Sequence, residues 1–199
     1  MAHPSRKDPF RVKAKTEGYP ARSVYKLKEI QDKYHIIKPG QRIIDFGCHP
    51  GSWLKFCSQA VGTEGRVLGV DLKRPLVPLS PNIFFLQGDI QSLIPESFKE
   101  WAGRADVVLS DLAPNTCGIK WLDQQRSLEL NNRALDLGEY LLKKGGTAVL
   151  KIFEGPETGN VIQRMKNGFF QIHIHKPKSS RAESPEIYLI GQGFMRPIN

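Results

Sequence analysis

The chain has 199 residues, the length of one domain with a short appendage, and at 40% hydrophobic it can bury a substantial core. Its apolar runs are strand-length, far below the roughly 20 residues of a membrane span, and the opening "MAHPSRKDPF" lacks the apolar centre of a secretory signal. A cytoplasmic protein with no membrane partner is expected, and the net charge of +9 gives it a field that attracts polyanions.

That charge is uneven along the chain. Arg6, Lys7, Arg11, Lys13, Lys15, Arg22, Lys26 and Lys28 crowd the first thirty or so residues of the basic arm and its helix (1–33), against Asp8, Glu17 and Glu29. No amphipathic apolar face accompanies them before Val24, so phosphate contact is favoured over membrane binding. The plain alternative is a solvated tail. A short helix over 21–33, "ARSVYKLKEIQDK", links the arm to the sheet.

From Arg42 strands and helices alternate. "RIIDFG" is β-branched and apolar, and Gly47, Pro50 and Gly51 break it before a helix over 52–61 that Ser52 is placed to cap. Strands follow at 66–72, 83–90, 105–112 and 146–153, with helices at 95–101, 123–143 and 159–167 between them. In the 123–143 helix Leu128, Leu135 and Leu142 fall in step, and Lys143-Lys144 before Gly145-Gly146 reads as its C-terminus. The last two strands, 169–176 and 186–194, are joined by "PKSSRAESP", too short for a helical crossover, and should pair antiparallel. The pattern predicts an α/β fold, Rossmann-like and doubly wound, with a mostly parallel seven-stranded sheet ending in an antiparallel hairpin. A single domain over 1–199 with its core at 42–194 is expected.

Ligands of such folds sit outside the carboxyl ends of the strands. The loop from Gly47 to Gly51 is G-x-x-x-G, not the dinucleotide G-x-G-x-x-G, and its Pro50 removes an amide donor while Asp45 brings negative charge. A phosphate-free, partly cationic ligand suits it better, and S-adenosylmethionine has that chemistry. Asp71 ends the second strand, where it can accept bonds from ribose hydroxyls, and Asp89 ends the third, where it can receive an adenine amino group beside Ile90. Cys48, His49 and Cys57 lack the fourth convergent ligand of a tetrahedral site, so no metal is expected. Cys117 completes three thiols without a disulfide framework, and His173 and His175 read as packing or surface residues.

The segments "ARSVYKLKEI", "DFGCHPGSW", "GVDL", "QGD", "SDLAPNTCG", "VLKIFEG" and "SSRAESPEIYLIG" together resemble the FtsJ/RrmJ family of ribosomal RNA 2′-O-methyltransferases, from about residue 16 to 193. The resemblance implies a catalytic tetrad at Lys26, Asp111, Lys151 and Glu186. It implies cofactor contacts at Gly51, Trp53, Asp71, Asp89 and Asp111, with S-adenosyl-L-methionine as methyl donor. It further implies a ribose, a uridine by expectation, in large-subunit ribosomal RNA within an assembled or nearly assembled particle, and a monomeric enzyme. Cys48-His49 departs from the paired alanines common in this loop and adds bulk there.

Lys151 is expected to act as base or hydroxyl-polarising group with Asp111 orienting it, while Lys26 and Glu186 hold the ribose and the lysine geometry. Transfer RNA is the runner-up substrate, and a non-catalytic RNA-binding assembly factor is the reading from another class. Base amino-methylation is disfavoured because Asp111-Leu112-Ala113-Pro114-Asn115 lacks the aromatic residue on which a flipped base stacks. A small-molecule catechol-type methyltransferase would leave the basic arm unexplained.

Overall fold

The computed structural model describes residues 8–102, 104–114, 117–181 and 183–195. Seven strands form one sheet in the order β3-β2-β1-β4-β5-β7-β6. They are β1 (Arg42–Phe46), β2 (Arg66–Asp71), β3 (Ile83–Gln87), β4 (Ala105–Ser110), β5 (Leu142–Phe153), β6 (Phe169–His175) and β7 (Glu186–Phe194). The first five are parallel neighbours, and β7 runs antiparallel between β5 and β6. The helices are α1 (Pro9–Thr16), α2 (Val24–Tyr34), α3 (Ser52–Val61), α4 (Lys120–Leu141) and α5 (Thr158–Gly168).

Strict alternation along the strands divides the core in two. Ile43, Val67, Leu109, Val149 and Ile190 face α2 and α3, where Leu27, Ile30 and Leu54 cover them. Ile44, Leu68, Val108, Leu150 and Leu189 face the other way, onto Leu135, Val161 and Met165 of α4 and α5. Both sheet faces are dry, as the apolar strands lead one to expect.

Four local expectations are corrected. The helix α4 stops at Leu141 and Lys143-Lys144 lie inside β5, because Leu142 pairs with Ala105 and is buried at once, and Lys143 then pairs with Asp106. The helix expected at 95–101 is a 3-10 turn, Pro95–Phe98, which sets Phe98 edge-on against Phe46 at 6.1 Å. Ser52 does not cap α3. Gly51 occupies the cap, and the Ser52 hydroxyl instead donates to the Ala21 carbonyl (3.0 Å) and accepts from its amide (2.8 Å). Finally, the basic arm does carry an apolar face: Phe10 and Ala14 of α1 pack on Val24 and Tyr25, with Asp8 capping the helix. Residues 1–7 of the arm lie outside the described residues.

Candidate active site

Successive β-strand ends deliver carboxylates to one cleft of about 320 Å³, lined by Asp71, Asp89 and Asp111 together with Gly47, His49 and Ile90. Gly47 makes the approach possible. Its φ is +80°, and a Cβ there would stand 3.1 Å from the backbone nitrogen of Leu112, so the loop after β1 can lie directly against the chain leaving β4. Asp71 is held from both sides, accepting the His49 amide on Oδ2 and the Lys73 amide on Oδ1, each at 2.9 Å. Both oxygens keep a further lone pair for a ligand hydroxyl. Asp89 Oδ1 accepts the Gln91 amide at 3.0 Å, and Ile90 beside it is buried.

The bulk of Cys48-His49 is absorbed without blocking the loop. The Cys48 thiol is buried beneath β2 where Gly69 has no side chain; a Cβ on Gly69 would stand 2.8 Å from that sulfur. His49 Nδ1 lies 3.1 Å from the Arg74 carbonyl, which seats the ring on the rim. Asp45 turns away from the cleft altogether. It is fully buried on the α2/α3 face, and neither carboxyl oxygen has a hydrogen-bond partner among the described residues. Burial, then the charges of Asp111 and Asp71, hold its carboxyl well above the usual range.

Beyond the cleft the sheet brings two lysine–acid pairs to one end. Lys151 faces Tyr188 across the β5–β7 ladder and Phe153 faces Glu186, so Lys151, Tyr188 and Glu186 project from the same sheet face. Lys151 Nζ is 3.0 Å from Asp111 Oδ1 and donates to the Asp111 carbonyl at 2.6 Å. The lysine side chain is only 8% exposed, so an ammonium here depends on those oxygens. Lys26, carried in on α2, pairs with Glu186 Oε1 at 2.5 Å, and these two line a second hollow of about 290 Å³ with Arg22, Ser23 and Arg181.

Tyr188 is the site residue missing from the sequence-based expectations. Its hydroxyl donates to Asp111 Oδ1 at 2.8 Å, the oxygen that Lys151 also approaches. Burial and the adjacent Asp111 and Glu186 push its phenol far up, which keeps it a donor. The signal was there: a tyrosine amid the apolar run of "EIYLIG" needs a partner for its hydroxyl. Gly51 and Trp53 sit at the start of α3, outside the residues lining the carboxylate cleft. The Trp53 indole N–H donates to the Ser23 carbonyl at 2.9 Å, and its ring rests 5.9 Å from that of Tyr188.

A sequence model of FtsJ-like methyltransferases matches residues 19–194, which include both ion pairs and the whole cleft. The chain belongs to that family. A protein named ribosomal RNA large subunit methyltransferase E from Desulfatibacillum aliphaticivorans is 47% identical over 93% of this chain and 89% of its own length. Its namesake from Methanothrix thermoacetophila is 43% identical over 95% of this chain and 73% of its own. Among solved structures, a Plasmodium falciparum protein assigned as a ribosomal RNA methyltransferase superposes with a TM-score of 0.79 at 32% identity, covering 89% of this chain and 100% of that one. Aeropyrum pernix fibrillarin, solved with bound S-adenosyl-L-methionine, shares the fold at a TM-score of 0.59 and 17% identity, over 85% of this chain and 76% of its own. As an FtsJ-like methyltransferase the chain is an enzyme. Among its described residues no helix is long and apolar enough to cross a membrane.

Proposed function

We propose that this FtsJ-like methyltransferase transfers a methyl group from S-adenosylmethionine to a ribose 2′-hydroxyl, that of a uridine, in large-subunit ribosomal RNA. The reading is supported by the relatives named above and by one observation in particular: a buried lysine, Lys151, bound to Asp111 at the mouth of a cleft ringed by carboxylates. We read 1–199 as a single catalytic domain acting in the cytoplasm as a monomer on the assembled or nearly assembled subunit.

The carboxylate cleft fits the donor chemically. Asp71 offers paired acceptors for two ribose hydroxyls, Asp89 and Ile90 offer an acceptor and an apolar wall for adenine, and Asp111 offers negative charge towards a cation. Gly51 and Trp53, at the N-terminus of α3, would contribute through their backbone, since the Trp53 side chain is already engaged. When bound, the cofactor supplies a methyl group on a positively charged sulfur.

The remaining work falls to the two lysine–acid pairs. Lys26 and Glu186 hold the acceptor ribose in their hollow, and near-attack positioning of this kind is worth up to roughly 7–11 kcal/mol. Uncharged, Lys151 Nζ would take the proton of the 2′-hydroxyl as that oxygen bonds the methyl carbon and the carbon's bond to sulfur breaks; charged, it would stabilise the same oxygen by direct hydrogen bonding while the proton leaves to solvent. Asp111 and Tyr188 fix the position of that nitrogen, because the Asp111 carbonyl accepts from Lys151 while its Oδ1 accepts from Tyr188 and pairs ionically with Lys151.

The test is methyl transfer from labelled cofactor by the purified protein to undermethylated large subunits, free ribosomal RNA and transfer RNA, followed by mapping of 2′-O-methyl sites. A single ribosomal ribose modified in the subunit supports the reading. Modification of transfer RNA alone replaces the substrate, and cofactor binding without transfer to any RNA would favour an assembly factor.

A further inference from the structure

The connection between β6 and β7 leads directly into Glu186, and two consecutive amides near its start are held by a residue of α2 outside the tetrad. Glu29 spreads its carboxylate across two consecutive amides, with Oε2 2.7 Å from the Lys178 nitrogen and Oε1 2.9 Å from the Ser179 nitrogen. His175 Nε2 stands 3.9 Å from Oε2. Ser179 is fully buried by this arrangement, and its carbonyl accepts from Arg22, whose guanidinium also pairs with the α1 cap residue Asp8. The next residue, Ser180, donates its hydroxyl to Glu186 Oε1 at 2.7 Å, the oxygen that Lys26 approaches at 2.5 Å.

Glu29 and Lys26 lie three residues apart on α2, and so on neighbouring positions of one face. The same helix therefore holds the Glu186 carboxylate twice: directly through Lys26, and through the connection that Glu29 grips. We infer that Glu29 is a positioning residue for methyl transfer, fixing the connection so that Ser180 aims the Glu186 carboxylate at Lys26 and keeps the ribose hollow open in one geometry. A carboxylate is suited to this because it accepts two amide bonds at once, each charge-assisted. This inference rests on the assignment of Lys26 and Glu186 to the acceptor ribose.

The experiment is single-turnover methyl transfer to undermethylated large subunits by the full chain carrying Glu29→Ala, Glu29→Gln, Ser180→Ala or the Glu29→Ala/Ser180→Ala pair. Glu29→Ala loses both amide bonds, and the transfer rate at saturating RNA should fall by roughly 10- to 100-fold. Cofactor affinity by calorimetry should stay within about twofold, because Asp71, Asp89 and Asp111 are untouched. Glu29→Gln keeps one amide acceptor and should recover part of the rate, and amide exchange at Lys178 and Ser179 should accelerate in both variants. Because Ser180 acts downstream of Glu29, the double variant should be no slower than Glu29→Ala within about twofold. Fully multiplicative losses, or a Glu29→Ala enzyme above half the wild-type rate, overturn the inference. A parallel Lys26→Ala variant separates the two levels: full activity there removes the tetrad reading itself, whereas loss there beside an active Glu29→Ala enzyme removes only the role of Glu29.

Discussion

Replacing Lys151 by alanine should separate folding from chemistry, and the structure sets the size of both effects. The ammonium is withdrawn from two Asp111 oxygens, at 2.6 and 3.0 Å, while Tyr188 continues to donate to Oδ1 at 2.8 Å. Breaking a wholly enclosed ion pair costs about 3–5 kcal/mol because the surviving charge is trapped. Here Asp111 borders an open cleft and its side chain is 17% exposed, so the cost should approach that of a lost charged hydrogen bond, about 1.5–3 kcal/mol. A domain stable by about 5–15 kcal/mol survives that. Transfer should fall by about 10²–10³, the scale of removing one electrostatic stabiliser or general base. Arginine should not restore it, since a guanidinium keeps its proton and its planar fork does not fit two oxygens placed for a point charge. The assay is single-turnover transfer of labelled methyl to undermethylated large subunits at saturating cofactor, over a range of pH, with a melting curve for each variant. A folded alanine variant that keeps more than about a tenth of the wild-type rate would refute the reasoning and leave Lys151 structural.

Three further outcomes are expected from the same geometry. Asp71→Ala should weaken cofactor binding by about 10- to 150-fold in calorimetry, since it removes acceptors for two hydroxyls and frees the His49 amide; near-normal affinity would place the ribose elsewhere. Changing Arg11, Lys13 and Lys15 of α1 to glutamine should reduce the salt slope of RNA binding by up to about 2.7 for duplex or 2.1 for single strands, at about 0.9 or 0.7 per contact, with melting temperature nearly unchanged; an unaltered slope means that these side chains contact no phosphate. Asp45, whose folded carboxyl titrates far above its unfolded value of 3.8, holds a proton in the native state that the unfolded chain releases. Its penalty therefore begins as pH rises through that unfolded value and grows until the folded group ionises. Asp45→Asn should gain stability over the wild type progressively from about pH 4 upward in urea titrations, and a gap that narrowed with rising pH would show that Asp45 is charged in the native fold.

What the sequence revealed and what it hid have a common physical origin. The β-α alternation and the gathering of Asp71, Asp89 and Asp111 were legible because they depend on local periodicity and on the rule that ligands gather at carboxyl strand ends. The strands themselves stop short of the expected bounds, β2 at Asp71, β3 at Gln87 and β4 at Ser110, so that Asp89 and Asp111 lie just beyond their strands. Ser52 looked like a helix cap because that choice is made within a few residues; its actual partner, Ala21, lies 31 residues earlier. Trp53 is similar, with its indole committed to Ser23. Both side chains seat the 19–23 segment on α3, and no periodicity announces such a contact. The end of α4 was misplaced for a related reason: two lysines and two glycines read locally as a helix stop, whereas pairing of Leu142 with Ala105 had already begun a strand.

The most consequential distant contact is the placement of β7 between β5 and β6. Its apolar residues decide where its polar ones go. Ile187 and Leu189 bury themselves towards α4 and α5, while Tyr188 and Ile190 bury themselves towards α2 and α3. A slip of β7 by one residue would exchange those sets and drive Ile187 and Leu189 onto the face now filled by Tyr188. It would also carry Glu186 away from Lys26 and Tyr188 away from Asp111. The packing of Ile187, Leu189 and Ile190, which have no chemistry of their own, thus fixes the acid and the phenol beside the two lysines. Apolar substitutions at Ile187 or Leu189 that loosen this packing should therefore lower methyl transfer before they unfold the sheet, although neither side chain approaches a reacting atom.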